Sequence, residues 1–399
     1  MASAPPLAGI RIVEVGNFMA VPFCGMQLAD LGADVIKVEN PRGGDLTRTT
    51  GPFIDGESSN FVRLNRNKRS VALDLKSGDG KALFRRLAES ADAVIENLRP
   101  GTMDALGLGY AVLSERSPRL VYLCATGFGN DGPYARLAGL DIIAQAMSGL
   151  MSITGEPGAA PVKVGVPIAD LTCALYGTIA VLAALRTRDR DGHGQFIDVS
   201  LLESAVSLAV WEAGRYFATG EVPAPSGSAH QAIAPYQAVR CAGGWFTFGA
   251  NTQEHWRAAC AVFGLAHLAG DPRFATNELR LANRAALIDE IERVTVTQPD
   301  EYWTERLSAA GLPCGPIQRF DRVFADPHLA AREFFADVRH PRLGAVRQIG
   351  SPMRFSSTPV RLESAGPPLG ADTDEVLRSI GVDDDELARL ARDGVTVAA

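Results

Sequence analysis

Apolar positions along the chain switch between two periods. GIRIVEVG (9–16) is a short apolar run of strand length, helical spacing follows from Pro22 to about Leu31, and ADVIKVE (33–39) is strand-like again. The strand–helix–strand unit recurs in SVALDL (70–75), a helix over 77–91 and DAVIENL (92–98). A short helix around 110–116 then leads to LVYLCATG (120–127). Strands alternating with helices predict parallel pairing, so the expected fold class is α/β with a doubly wound, Rossmann-like parallel sheet. Helical patterns continue over 141–151 and from Asp170, followed by a strand GQFIDV (194–199) and a helix from Ser200.

The pattern then breaks. ATGEVPAPSGSAH (218–230) has the Pro, Gly and Ser content of a linker. Beyond it YQAVRCAGGWFTFGAN (236–251) reads as a hairpin turning at Gly243-Gly244, and helical spacing at 253–263, 283–295 and 299–311 completes a smaller α+β unit. Near 320 the style changes again, and GVDDDELARLARDGV (381–395) is an acidic-capped helix. The expected division is 1–217 as the first part of a large domain, 218–230 as linker, 231–322 as a small domain, and 323–399 returning to the large one.

Composition narrows the function. A chain of 399 residues can hold two domains and a large core, and 46% hydrophobic with 21% charged residues is ordinary for a soluble protein. A net charge of −7 argues against nucleic acid or an anionic membrane as partner. MASAPPLAGI lacks the basic start and apolar core of a signal peptide. The six cysteines form no CxxC pair and no metal-ligand spacing with the histidines, so a reduced, cytoplasmic chain without disulfides or metal is expected. The apolar stretch after Asp170, about fifteen residues, is short for a membrane span and reads as a core helix.

Candidate chemistry centres on VGVPIADLTCALYGTIAVLAAL (164–185), whose single charge is Asp170. A buried carboxylate is costly unless paired or protonated. It is either a helix N-cap or a nucleophile kept ionised by the helix N-terminus, where an oxyanion would also be stabilised. The residues alone leave both open. The first half also supplies cations near predicted strand and helix ends, Arg42, Lys68, Arg69, Lys76, Arg99 and Arg136, suited to a polyanionic ligand. In NRNKRSVALDL, Arg66, Lys68 and Arg69 directly precede a predicted strand. No GxGxxG follows the first strand and no Walker loop occurs, so a standard nucleotide site is not supported. Gly249-Ala250-Asn251 ends the hairpin, and His230 and Tyr236 flank the end of the linker.

The stretches PLAGIRIVEVGNFMAVPFCGMQLADLGADVIKVENPRGGD (6–45), NRNKRSVALDLK (65–76), VIENLRPG (94–101) and GLDIIAQAMSGLMSITG (139–155) carry more than these patterns. Together with IADLTCALYG, GLPCGPI (311–317) and HPRLGAV (340–346), in that order, they resemble the family III CoA-transferases, the group that includes formyl-CoA transferase and carnitine CoA-transferase. The resemblance implies an interlocked homodimer that takes an acyl-CoA donor and a carboxylic acid acceptor, with coenzyme A as substrate and no permanently bound cofactor. It places the catalytic aspartate on Asp170. It places CoA contacts on Asn17, Phe18, Met19 and Ala20, on Leu73 and Lys76, and on Asn97, Leu98 and Thr102. Arg42 and Arg136 lie within a residue or two of basic positions of the family.

Two departures bear on the substrate. Formyl-CoA transferases carry Gln where this chain has Met19, and a longer glycine run where it has Gly249, Ala250 and Asn251. GSAHQAIAPYQAV (227–239) is closest to members using succinyl-CoA and dicarboxylates such as glutarate. That similarity makes His230, Tyr236, Gly249 and Ala250, with Arg240 ranked last, the candidates for substrate recognition. The racemase branch of the fold carries a His just before an Asp, and here the position is Leu140, which cannot move a proton.

Overall fold

The computed structural model describes residues 4–398. The chain forms two compact units. The larger takes the chain up to Leu150, Lys163–Gly214 and everything from His328, and the smaller takes Met151–Val162 and Arg215–Pro327.

The large unit is built on β1 (Arg11–Val15), β2 (Asp34–Glu39), β3 (Lys68–Leu73), β4 (Ala93–Glu96), β5 (Val121–Thr126), β6 (Phe196–Ser200) and β7 (Thr396–Val397). They form one sheet in the order β7-β3-β2-β1-β4-β5-β6. All pairings are parallel except that of β7 with β3. The strands form where the apolar runs predicted them, because β-branched side chains suit a pleated surface buried on both faces. Val13, Val15, Ile36, Val38, Val71, Leu73 and Val94 line one face, packed by Leu83, Phe84 and Leu87 of the helix Gly78–Glu89 and by Val376, Leu377, Leu387 and Leu390 near the C-terminus.

Helix α1 (Ala20–Asp30) packs against β1 and β2. Gly25 sits in its interior, where glycine is unfavourable, because a Cβ there would collide with Glu14 Oε2. Two further helices matter below: α2 (Asp141–Met147) and α3 (Ile168–Asp191). Helix α3 is long and apolar enough to cross a membrane by length and composition, with a mean hydropathy of 1.8 over its most apolar window. Half of that window is buried inside this chain, where α3 packs on α1 and β5.

Strand β3 starts two residues earlier than the apolar pattern suggests, at Lys68. The basic residues thought to precede it are therefore structural. Arg66 is buried against Asp30 at 2.6 Å, Lys68 is buried against Glu14 at 2.7 Å, and Arg69 pairs with Asp34 and Glu375. None of the three is free to meet a polyanion.

The small unit folds around the hairpin Tyr236–Cys241 and Gly244–Gly249, extended by Cys314–Pro316 into a three-stranded antiparallel sheet. Phe246, Phe248, Trp256, Phe274, Leu287, Ile291 and Trp303 fill its own core. The backbone N–H of Gly227 donates to Gly155 O (2.9 Å), which holds the 151–162 segment within this unit. The six cysteines are unpaired, five of them buried.

Candidate active site

In an open parallel sheet, ligands bind outside the carboxyl ends of the strands, where the strand order reverses. Here the order 3-2-1-4 reverses between β1 and β4. The loops leaving β1, β2, β3 and β4 carry most of the residues nominated from the sequence: Asn17, Phe18, Met19 and Ala20 after β1, Arg42 after β2, Lys76 after β3, and Asn97, Leu98 and Thr102 after β4. At the reversal two of them interlock. The Asn17 amide N–H donates to Asn97 Oδ1 (2.9 Å) and Asn97 Nδ2 donates to Asn17 O (2.9 Å).

The β1 loop holds Phe18 at φ +60°, a left-handed conformation that costs a non-glycine residue about 1–3 kcal/mol and marks functional loops more often than others. Its side chain is 49% exposed. A buried charge network secures the loop from beneath. Lys37 Nζ donates to Gly16 O (2.7 Å) and contacts Glu14 (2.7 Å) and Asp45 (2.8 Å). Asp45 in turn accepts from the Phe18 N–H (3.3 Å) and from Thr47. Lys68, sharing Glu14, is fully enclosed, and burial pushes its pKa down to about 8. The network escaped the sequence reading, although it left a trace. Glu14, Lys37 and Ser70 occupy one row across three adjacent strands, polar interruptions in register on one face.

The remaining nominees separate. Lys76 is exposed and its ammonium has no ion-pair partner among the described residues. Arg42 is 80% exposed and reaches Asp74 at 3.0 Å. Leu73 is fully buried in the core beneath this edge and offers no side-chain surface. Arg136 is exposed on the 127–140 segment with no ion pair among the described residues.

Asp170 lies in the first turn of α3, but it is not the cap. Pro167 holds the N-cap position, and the α3 amide of Ala169 donates to Asp141 Oδ1 (2.9 Å) from α2. The capping reading of Asp170 is therefore corrected: the Asp141 carboxylate, 28 positions upstream of Ala169, performs it. Asp170 itself is half-buried and accepts no hydrogen bond among the described residues. Nor does the helix N-terminus keep it readily ionised. Burial first, and the negative charge of Asp141 second, push its pKa up to about 7.

Within the small unit, His230, Tyr236, Gly249 and Ala250 do come together. The His230 and Tyr236 rings stack with centroids 5.0 Å apart and planes 13° apart. Tyr236 pairs with Gly249 across the hairpin, and a Cβ at Gly249 would press on the Tyr236 ring and on Asn251. The N–H of Ala232 donates to His230 Nδ1 (3.1 Å), so in the neutral ring the proton belongs on Nε2. Ala250 is buried and contributes backbone only, its N–H donating to Pro235 O (2.8 Å). Arg240 is neutralised by Glu292 at 2.6 Å, which removes it as a free cation.

The model of CoA-transferase family III matches residues 7–373. The chain is a family III CoA-transferase. The curated relatives include the succinate–glutarate CoA-transferase of Agrobacterium fabrum, 40% identical over 383 residues that span 94% of this chain and 96% of that one. They also include the succinyl-CoA:glutarate CoA-transferase of Homo sapiens, 36% identical over 99% of this chain and 91% of that one. Among solved structures, a CaiB/BaiF family protein from Brucella suis is 39% identical, with a TM-score of 0.87 over 95% of this chain and all of that one. This CoA-transferase is thus a mixed α/β enzyme with a large parallel-sheet unit, in a family whose members act on CoA thioesters.

Proposed function

We propose that this CoA-transferase moves CoA from succinyl-CoA, or a similar short dicarboxyl-CoA, to a small dicarboxylic acid, with Asp170 as nucleophile. The observation that carries the reading is an Asp170 carboxylate without hydrogen-bond partner among the described residues, at the head of an apolar helix. Asp170 attacks the thioester carbonyl carbon and the C–S bond breaks. CoA leaves as thiolate and an acyl-aspartyl anhydride remains. The thiolate returns to the aspartyl carbonyl, releasing the donor acid and leaving an aspartyl-CoA thioester. The acceptor carboxylate then expels CoA from that thioester, and CoA attacks the acceptor's carbonyl carbon to restore Asp170. Anhydrides hydrolyse, so the site must exclude water, which the apolar sequence around Asp170 favours.

In this reading CoA is held at the carboxyl edge of the sheet, which we take to be doubly wound and Rossmann-like, by Asn17, Phe18, Met19, Ala20, Asn97, Leu98 and Thr102. Lys76, Arg42 and Arg136 serve its phosphates, and Leu73 contributes to the adenine site through its backbone only. His230, Tyr236 and Gly249 recognise the acceptor, with the Ala250 backbone. The named acceptors of the relatives, glutarate among them, support the dicarboxylate assignment. Incubation with succinyl-CoA and a panel of acids, with product CoA esters read by mass spectrometry, tests it. Glutarate or malate is expected to exceed acetate and butyrate in kcat/KM, and the reverse order would mean an apolar acceptor pocket.

The large unit also leaves apolar side chains uncovered: Leu175, Tyr176 and Ile179 (61% exposed) on α3, Ile142, Ile143 and Met147 on α2, and Trp211 (65% exposed) beyond them. Large apolar side chains left exposed on packed helices suit a protein–protein interface. A second copy of the chain covers it in our reading, as in the interlocked dimers that the family resemblance implies. Light scattering at micromolar concentration is expected to give twice the chain mass; a monomer would contradict the assignment.

A further inference from the structure

We propose that Asp141 is a positioning residue for Asp170: from a separate helix, its carboxylate fixes the first turn of α3 and stands as a second negative charge beside the nucleophile. The proposal rests on Asp170 being the nucleophile.

The geometry is specific. Asp141 Oδ1 accepts from the amide N–H of Ala169, the residue before Asp170, at 2.9 Å. Asp141 Oδ2 accepts from Gln145 Nε2 at 2.7 Å. Gln145 is fully buried, and its Oε1 accepts from the Val164 N–H at 2.9 Å, which ties down the segment leading into α3. Both Asp141 oxygens are thereby fixed, and so is the backbone from which Asp170 projects. A neutral side chain could cap the helix as well. A carboxylate here also keeps a like charge next to the nucleophile.

Other titratable groups on the elements packed against α3 are engaged or uncharged. On β6, Asp198 binds Asn130 (2.9 Å), and Glu203 beyond it accepts from Ser200 Oγ (2.6 Å). The thiols of Cys24 on α1 and Cys173 on α3 are pushed up to about 12 by burial, and that of Cys124 on β5 is also raised. On α1, Asp30 is held by Arg66. Among the described residues, no cation acts on Asp170 to offset Asp141.

The chemistry gives the like charge a use. Attack on a thioester turns a carboxylate into a thiolate, an exchange that runs uphill when an acid of pKa 3.8 displaces a thiol of about 8.5. Asp170, raised to about 7, closes much of that gap. Forming the anhydride removes the Asp170 charge and with it the repulsion from Asp141. The repulsion therefore acts on the free carboxylate and not on the acyl-enzyme, so it favours attack.

The test is the pH profile of kcat/KM. Activity requires ionised Asp170, so the wild-type profile is expected to rise with pH through about 7 and then level. In Asp141→Asn, and in Asp141→Ser, which keeps a neutral cap, the midpoint is expected to fall by about one pH unit. The alkaline plateau of kcat should drop more than tenfold with the KM for acyl-CoA nearly unchanged. Carbon-13 NMR of the Asp170 carboxyl reads the same midpoint without turnover and serves if either variant is inactive. A purely structural role would lower folded protein or plateau activity without moving the midpoint. Folded variants whose midpoint coincides with wild type by both measurements overturn the proposal. An active Asp170→Ala enzyme would instead overturn the reading beneath it.

Discussion

Asp170→Ala is expected to lose CoA transfer by at least about ten-thousandfold in kcat, because the proposed covalent intermediate forms on the Asp170 carboxylate. The same variant is expected to fold as well as wild type or better. Asp170 makes no hydrogen bond that the fold would miss, and the cap of α3 comes from Asp141. The pH dependence gives this a sign. The folded pKa of about 7 lies above the unfolded value of 3.8, so the folded chain binds an extra proton between those limits. The stability linked to Asp170 is therefore highest in acid, falls as pH rises through that window, and stays low above it. Alanine removes the penalty. The Tm of the variant minus that of wild type should grow from about pH 4 to pH 7 and then level. Binding of CoA, measured by calorimetry, should stay within a few-fold of wild type. Transfer activity within tenfold of wild type would remove Asp170 from the reaction.

The sequence exposed this architecture where apolar runs carry it, and concealed it where charges do. β1, β2, β4 and β5 lie within the apolar stretches that predicted them, since each is buried by its own side chains. β3 was misplaced by two residues because Lys68 and Arg69 belong to it, and what makes a buried lysine tolerable there lies elsewhere in the chain: Glu14 on β1, two strands away, with Pro22 O and Asn65 Oδ1. The same logic hid the Asp141 cap. Sequence proximity pointed to Asp170, whereas the accepting carboxylate arrives from another helix through a turn that local pattern does not describe. β7 was equally illegible, because two residues carry no period and depend on pairing with β3 across the chain. At the site, loop residues after β1 and β4 were named from family resemblance, but their interlocking through Asn17 and Asn97 follows from the strand order.

Lys37→Met should be the most damaging single change outside the reacting groups. Lys37 is 1% exposed, and its ammonium lies 2.7 Å from Glu14 and 2.8 Å from Asp45 while donating to Gly16 O. Glu14 also pairs with Lys68, whereas Asp45, which receives the Phe18 N–H, has Lys37 as its only cation among the described residues. Methionine fills most of its volume, one atom shorter, and removes its charge. Breaking a buried pair leaves an uncompensated ion and costs about 3–5 kcal/mol, more than the pair itself contributes relative to an apolar replacement. A loss of roughly 5–15 °C in Tm follows for a unit of this size. Function should report the same change, because the carboxylate that accepts from the Phe18 N–H loses its ammonium partner: the KM for acyl-CoA is expected to rise at least fivefold in protein that remains folded. The double variant Lys37→Met with Asp45→Asn removes one of the stranded charges and should recover part of the Tm. It should not recover the KM, since a neutral amide holds the Phe18 N–H less strongly than a carboxylate. A Tm within about 2 °C of wild type for Lys37→Met would mean that water or a shifted proton neutralises the cluster, and that the loop after β1 does not depend on Lys37.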